Sequence, residues 1–484
     1  MYRLKPLILT LLGFYCLELK AQIKVLYTYQ DLSHLYYAKQ RDSLKKAWDC
    51  PSLYKKKETQ KLFKEYWDSR TEFITSAIDG DNYVHDQDIY PYVDGLINQL
   101  VQANKQYLPV KPFLLIDRSP SVNAYSIGGN VIAVNLGLLK FVQSREELAL
   151  VLAHELSHNI LNHAENAMKQ RAEWISSDEY KKSLNAVLDS KYERLSRLNK
   201  VLENYSFNRS RHQRYHESDA DSLAIVLLKR SNIAFQASFF MRLDSADLQY
   251  RQALKTPLKA FFTAYQLPFE EAWAQKRSKG LSTRAYNFSE DGTIEDSVKT
   301  HPDCADRYAK TKALTVAGAK LTPLPSVIQD KAGKMLIWNL YQNMALTRCL
   351  YRIMLEKDRG VKDEWYDFMV NNIFLGLYLS DKDMHRFNAV GIVPKEYIAK
   401  DYYQLQTMLE QMPRESLEAY CKTMQSEPFW ARVTPSEKAF KDLLYTLNTD
   451  PDGSDKHRSR LVKDFTSNNA VSMYCELPGS LDKK

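Results

Sequence analysis

The sequence predicts an α+β fold: a small sheet beside two helices that carry ionisable side chains inward, followed by an all-α C-terminal domain. Three observations predict it. Residues 148–161 place apolar side chains at helical spacing, with no Pro or Gly between them. Residues 123–135 alternate about Gly128-Gly129, as two short strands around a glycine turn do. Past Leu321-Thr-Pro-Leu-Pro325, a proline-marked junction, residues 326–478 read as several amphipathic helices, for example Lys334 to Glu356 and Glu364 to Tyr378.

Residues 1–22 read as an export signal. Arg3 and Lys5 precede an apolar centre from Leu7 to Leu17, and a polar exit runs from Glu18 to Gln22. Cleavage is expected near Ala21 or Gln22, with a short uncleaved anchor as the alternative. Residues 23–80 read as one or two charged helices wrapped on a core that runs to about residue 320, so the expected domains are 23–320 and 321–484. Residues 165–213 read as a polar helical insertion. No other stretch approaches the ~18 apolar residues that a membrane-spanning helix needs.

Ser144 with Glu147 three residues on is a capping-box signature, so the helix through residue 161 starts there. That helix carries His154-Glu155-Leu-Ser-His158, an H-E-x-x-H motif. Residues four apart share a helix face, so His154 and His158 can hold one metal ion together. Glu155 points off that pair but reaches a water at the same ion, as a general base must. A catalytic zinc takes three protein ligands and keeps a fourth position open. The best third ligand is Glu217, four residues before Asp221 and on a face shared with Ala220 and Ala224. Small alanines would let that helix approach the first one closely. Asp221 would then accept a hydrogen bond from a ligand imidazole and fix its tautomer. An acidic first helical turn, favoured by the helix dipole, is the other reading of this pair. His163 lies five residues past His158, off the ligand face, and reads as structural; neither His212 nor His216 is expected to be a ligand.

Four ordered segments resemble the zinc metallopeptidases that include HtpX and the CAAX prenyl proteases, especially their soluble periplasmic branch. They are the block from Asn123 to Leu139, His154 to His158, Glu217-Ser-Asp-Ala-Asp221, and Thr300-His-Pro-Asp-Cys-Ala-Asp-Arg307. The resemblance covers roughly residues 80–315. It implies a gluzincin-like core with one zinc ion per chain, held by His154, His158 and Glu217, with Glu155 as the base. It implies that the first strand of the Asn123 block is an edge strand beside the zinc helix, where Asn123 and Ala124 hold the substrate backbone. It also brings His301 and Arg307 near the site. Three roles stay open for His301: filling the vacant metal position as a gate, contacting substrate in catalysis, or packing. Arg307 would pair with a carboxylate or clamp peptide backbone.

The formal charge of +8 is modest for 484 residues, and the basic positions are scattered among acidic ones, so no nucleic-acid partner is expected and only a weak pull toward an anionic membrane surface remains. Five cysteines remain past the signal (Cys50, Cys304, Cys349, Cys421 and Cys475), with no C-x-x-C among them. The expected function is therefore an exported zinc-dependent endopeptidase of the periplasm or envelope. By resemblance its substrates are misfolded or stalled envelope proteins. The alternative is a proteolytically silent, zinc-binding chaperone or assembly factor; a lipid-surface adaptor is a third and weaker reading.

Overall fold

The computed structural model describes residues 33–79, 82–244, 246, 250–275, 304–382 and 384–425. The expected signal (1–22), Thr300-His301-Pro302 and Cys475 lie outside them. In chain order the elements are α1 (Ser33–Ala47), α2 (Lys57–Asp79), α3 (Ile89–Ala103), β1 (Phe113–Asp117), β2 (Ala124–Gly128) and β3 (Val131–Asn135). They continue with α4 (Leu136–Phe141), α5 (Arg145–Ile160), α6 (His163–Ile175), α7 (Asp178–Leu188), α8 (Arg194–Arg230) and α9 (Ser238–Leu243). Then come α10 (Leu258–Ala264), α11 (Cys304–Thr311), α12 (Ser326–Gln342), α13 (Leu346–Asp358), α14 (Glu364–Lys382), α15 (Arg386–Val390), α16 (Lys400–Gln411) and α17 (Arg414–Gln425). The described chain is thus mostly helical, with a three-stranded sheet. No described helix is long and apolar enough to cross a membrane.

By contact the chain divides into two compact units. One is Asp31–Leu248 with Asn287–Leu336; the other is Met1–Gln30, Gln249–Tyr286 and Ile337–Lys484. The first unit holds the sheet, in the order β1-β3-β2. The central strand β3 is Val-Ile-Ala-Val-Asn and is buried along its whole length, as a strand covered on both faces must be. It pairs parallel to β1 and antiparallel to β2. Gly128 (φ 75°), Gly129 (φ 61°) and Asn130 (φ 60°) make the turn between β2 and β3. Both backbone groups of Gly129 are tied down. Its N–H donates to Glu165 on α6 (2.7 Å) and its carbonyl accepts from the Trp48 indole (3.1 Å). A Cβ at either glycine would run into Glu165 or Trp48. Tyr37, Trp48, Ile74 and Tyr83 pack with Leu115, Val131 and Ala133, so part of the chain's tyrosine goes into a core beneath the sheet.

Helix α5 starts as expected. Ser144 accepts from the Glu147 amide, and the Glu147 carboxylate accepts from the Ser144 amide. The helix packs along β2 and along α8. Ala220 and Ala224, both fully buried, let the α8 backbone come close. Residues 165–213 are helical through α6, α7 and the start of α8, which runs on unbroken past Asp221. Glu217 and Asp221 therefore sit deep inside a helix, and the acidic first-turn reading of them does not apply.

In the second unit, α14 is buried from Trp365 to Ser380 except at Asp367 and forms its centre. The stretch from Glu364 to Tyr378, expected to be amphipathic, is instead an interior helix, buried round its circumference with Asn371 and Asn372 among the buried residues. Phe262, Phe374 and Tyr420 pack ring against ring. The single helix expected from Lys334 to Glu356 is also corrected. It breaks at Met344, whose φ is 54°; the Met344 and Ala345 amides turn back to the carbonyls of Tyr341 and Leu340 and close α12. Cys50, Cys304, Cys349 and Cys421 are free thiols.

Candidate active site

The site lies in the first unit, where α5, α8, α11 and β2 meet. Helical spacing brings His154 and His158 to one face of α5, and their Nε2 atoms come within 3.0 Å of each other. Glu217 on α8 closes the set, with Oε2 3.3 Å from His154 Nε2 and Oε1 3.6 Å from His158 Nε2. One donor atom from each of the three lies within 4.8 Å of the others, and among the described residues this is the cluster that could hold a metal ion. Two imidazole nitrogens and a carboxylate oxygen are a donor set that suits zinc. A convergence of this kind without a cation between the atoms would be costly.

His154 Nδ1 meets Asp221 Oδ1 at 2.9 Å. Arg307 on α11 then grips the same carboxylate with two parallel bonds, Nε to Oδ2 at 2.8 Å and Nη2 to Oδ1 at 2.7 Å. Of the two roles left open for Arg307, the structure places it on a carboxylate. Its guanidinium also lies over the Phe240 ring, 4.3 Å from the centroid.

The charges follow from these contacts. Burial works to lower the His154 imidazole, but its bonds to Asp221 and Glu217 prevail and raise it to about 9. Burial works to raise Glu217 and Asp221. Their bonds to His154, and that of Asp221 to Arg307, bring both down to about 2. Burial lowers His158 to about 3, helped by the neighbouring His154. Burial and the Glu217 charge raise the Glu155 carboxyl to about 7, against the pull of His154, Arg307 and the Ser126 amide. A base poised near neutrality suits proton transfer at neutral pH.

A cleft of about 280 Å³ opens over the cluster. Leu150, Phe239, Phe240 and Leu243 give it an apolar side, and residues 123–126 line another. Strand β2 pairs with β3 on one side and with no other described strand, so it is an edge strand along this cleft. Ser126 Oγ donates to Asn159 on α5 (2.9 Å), and Asn159 donates to the Val131 carbonyl (3.3 Å), which pins the sheet edge to the histidine helix. Asn123 and Ala124 both line the cleft. His301 lies outside the described residues, and so does the side chain of His212.

His163 stays outside the three-residue donor cluster, and its Nδ1 lies 2.7 Å from His158 Nδ1. The contact arises because α5 ends at Ile160 and Asn162 takes the left-handed conformation (φ 55°), which re-aims the chain before α6 begins at His163. The His163 ring also stacks on His216, with centroids 4.2 Å apart and planes 12° from parallel. The asparagine after the helix, a residue type that tolerates positive φ, was the signal available in the sequence.

Residues 90–315 match the model of peptidase family M48. The chain is also similar to a putative beta-barrel assembly-enhancing protease of Vibrio cholerae, at 29% identity over 179 residues, which is 36% of this chain and 36% of that protein. It is similar to the beta-barrel assembly-enhancing protease of Yersinia pestis at 25% identity over 262 residues, covering 52% of this chain and 49% of that protein. The chain thus spans half or less of the length of these curated relatives.

Proposed function

We propose that this chain, whose residues 90–315 match the model of peptidase family M48, is a zinc-dependent endopeptidase of the cell envelope. The observation that supports this most is the convergence of His154, His158 and Glu217 beside Glu155, under a cleft bounded by an edge strand. When bound, zinc supplies a Lewis acid for a carbonyl oxygen and makes water acidic enough to act as a nucleophile near neutral pH. His154 and His158 would hold the ion through Nε2, and Glu217 through a carboxylate oxygen. Asp221 keeps the His154 proton on Nδ1, and Arg307 keeps Asp221 in place. Glu155 takes a proton from the attacking water onto its carboxylate and passes it to the leaving amine.

The free edge of β2 gives an extended peptide backbone N–H and C=O groups to pair with, near Asn123 and Ala124. The apolar side of the cleft excludes water from the reacting bond. Export rests on the signal-like residues 1–22. The relatives' names refer to beta-barrel assembly, and for this chain we take unfolded or stalled envelope proteins as the substrates.

The test is metal content and casein cleavage of purified protein, wild type against Glu155→Gln. The variant should keep its zinc and lose about 10²–10⁴-fold in rate, because only the base is removed. A variant as active as wild type would refute Glu155 as the base. A wild-type protein that binds zinc but cleaves nothing would instead be the silent assembly factor.

A further inference from the structure

His154, His158 and Glu217 do not have equivalent surroundings, and one of them is backed in a way that the H-E-x-x-H motif does not specify. A histidine that ligates through one ring nitrogen needs a partner on the other, since that partner fixes both the tautomer and the plane of the ring. For His154 the partner is Asp221. For His158 the described atom at hydrogen-bond distance from Nδ1 is Nδ1 of His163, at 2.7 Å. A bond between two imidazole nitrogens requires one ring to donate and the other to accept. His158 Nε2 faces His154 Nε2 and Glu217, so it must be free of a proton to ligate. Its proton therefore sits on Nδ1, and His163 Nδ1 accepts it. The proton of neutral His163 is then on its own Nε2.

His163 is held in turn. Its ring is parallel to that of His216, which is the residue before Glu217 on α8. The stack joins the first turn of α6 to the ligand helix α8 through two residues 53 positions apart in the sequence. We propose that His163 is a positioning residue for the metal site: it accepts the Nδ1 proton of His158, is clamped flat by His216, and so aligns the His158 lone pair with the ligand set that Glu217 completes. Asn162 makes this bond geometrically available, because its left-handed backbone turns α6 back toward the face of α5 that carries His158. The inference rests on the reading of the cluster as a zinc site.

Three variants of the full chain separate the hydrogen bond from the stack. His163→Phe keeps a flat ring against His216 and removes the acceptor. His163→Asn keeps an acceptor oxygen where Nδ1 stood and removes the ring. His163→Ala removes both. Zinc affinity is read by competition with a chromophoric chelator, and folding by circular dichroism. Cobalt substitution gives a second readout, since its visible absorption reports ligand geometry whether or not the enzyme turns over.

His163→Phe and His163→Ala should bind zinc about 10–100-fold more weakly, the usual consequence of losing a residue that orients a ligand. Their cobalt spectra should shift. His163→Asn should bind close to the wild-type level with a near-native spectrum. Wild-type affinity in His163→Phe would overturn the proposal, and so would an equal loss in the Phe and Asn variants. If the wild-type protein itself bound no zinc, the metal-site reading would fall and this inference with it. Tight wild-type binding with an unaffected Phe variant sinks the inference alone.

Discussion

The two flanks of the His154–His158 pair are built from different chemistry. On the His154 flank the Nδ1 atom faces a buried carboxylate, Asp221, that a buried guanidinium grips with two bonds. On the His158 flank Nδ1 faces a second imidazole, which rests on a third. The first flank is ionic and reaches across three helices, α5, α8 and α11. The second is uncharged and uses stacking. A full ionic partner raises the basicity of its imidazole; a neutral one fixes orientation and adds no charge. The bonds of His154 to Asp221 and Glu217 raise it to about 9 against burial, whereas burial and the neighbouring His154 lower His158 to about 3.

The largest test of this contrast is to remove the charge from the ionic flank. Asp221→Ala should weaken zinc binding by about 10–100-fold without abolishing it. It should also destabilise the fold by about 3–5 kcal/mol, because Arg307 is left buried and unmatched. The second effect has no counterpart at His163, which carries no charge to strand. Equal losses of stability in Asp221→Ala and His163→Ala, measured by urea melts, would erase the distinction between the flanks.

A smaller effect is expected from Arg307→Lys. The charge survives, but a lysine cannot make the paired bonds of a guanidinium. The expected loss is about 1.5–3 kcal/mol of stability, the scale of one hydrogen bond to a charged group. Zinc affinity should change little, because Asp221 still faces His154. A much larger loss of zinc would show that Arg307 acts directly on the ligands.

The smallest effect is a proton count. At pH 7.5 the metal-free His154 is protonated, since burial and bonding leave it at about 9, and His158 is not, at about 3. Zinc binding should therefore release about one proton, from the ionic flank alone. Calorimetry in two buffers of different ionisation enthalpy measures it. The sign for stability follows as well. A raised imidazole stabilises the metal-free fold fully below its ordinary value of 6.5, and that contribution is lost as pH rises through about 9. No proton release at pH 7.5 would refute the ionic description of His154.

Local pattern sufficed for much of this protein. The capping box at Ser144, the pairing of His154 with His158, the shared face of Glu217 and Asp221, and the turn at Gly128-Gly129 all follow from spacing within a few residues. Those are distances that helix and strand geometry fix by themselves. The sequence by itself also determined which residue types were available as ligands and base. Only the tertiary structure decided which groups meet across elements: Arg307 on Asp221, Glu165 and Trp48 on Gly129, and His163 between His158 and His216. Each of these contacts depends on where a helix ends and how the next one is aimed. A single left-handed residue such as Asn162 or Met344 changes that direction while leaving the periodicity on both sides intact. The grouping of Gln249–Tyr286 with Ile337–Lys484 has the same origin. Apolar faces choose partners by shape and burial in three dimensions, and the spacing of residues along the chain carries no record of that choice.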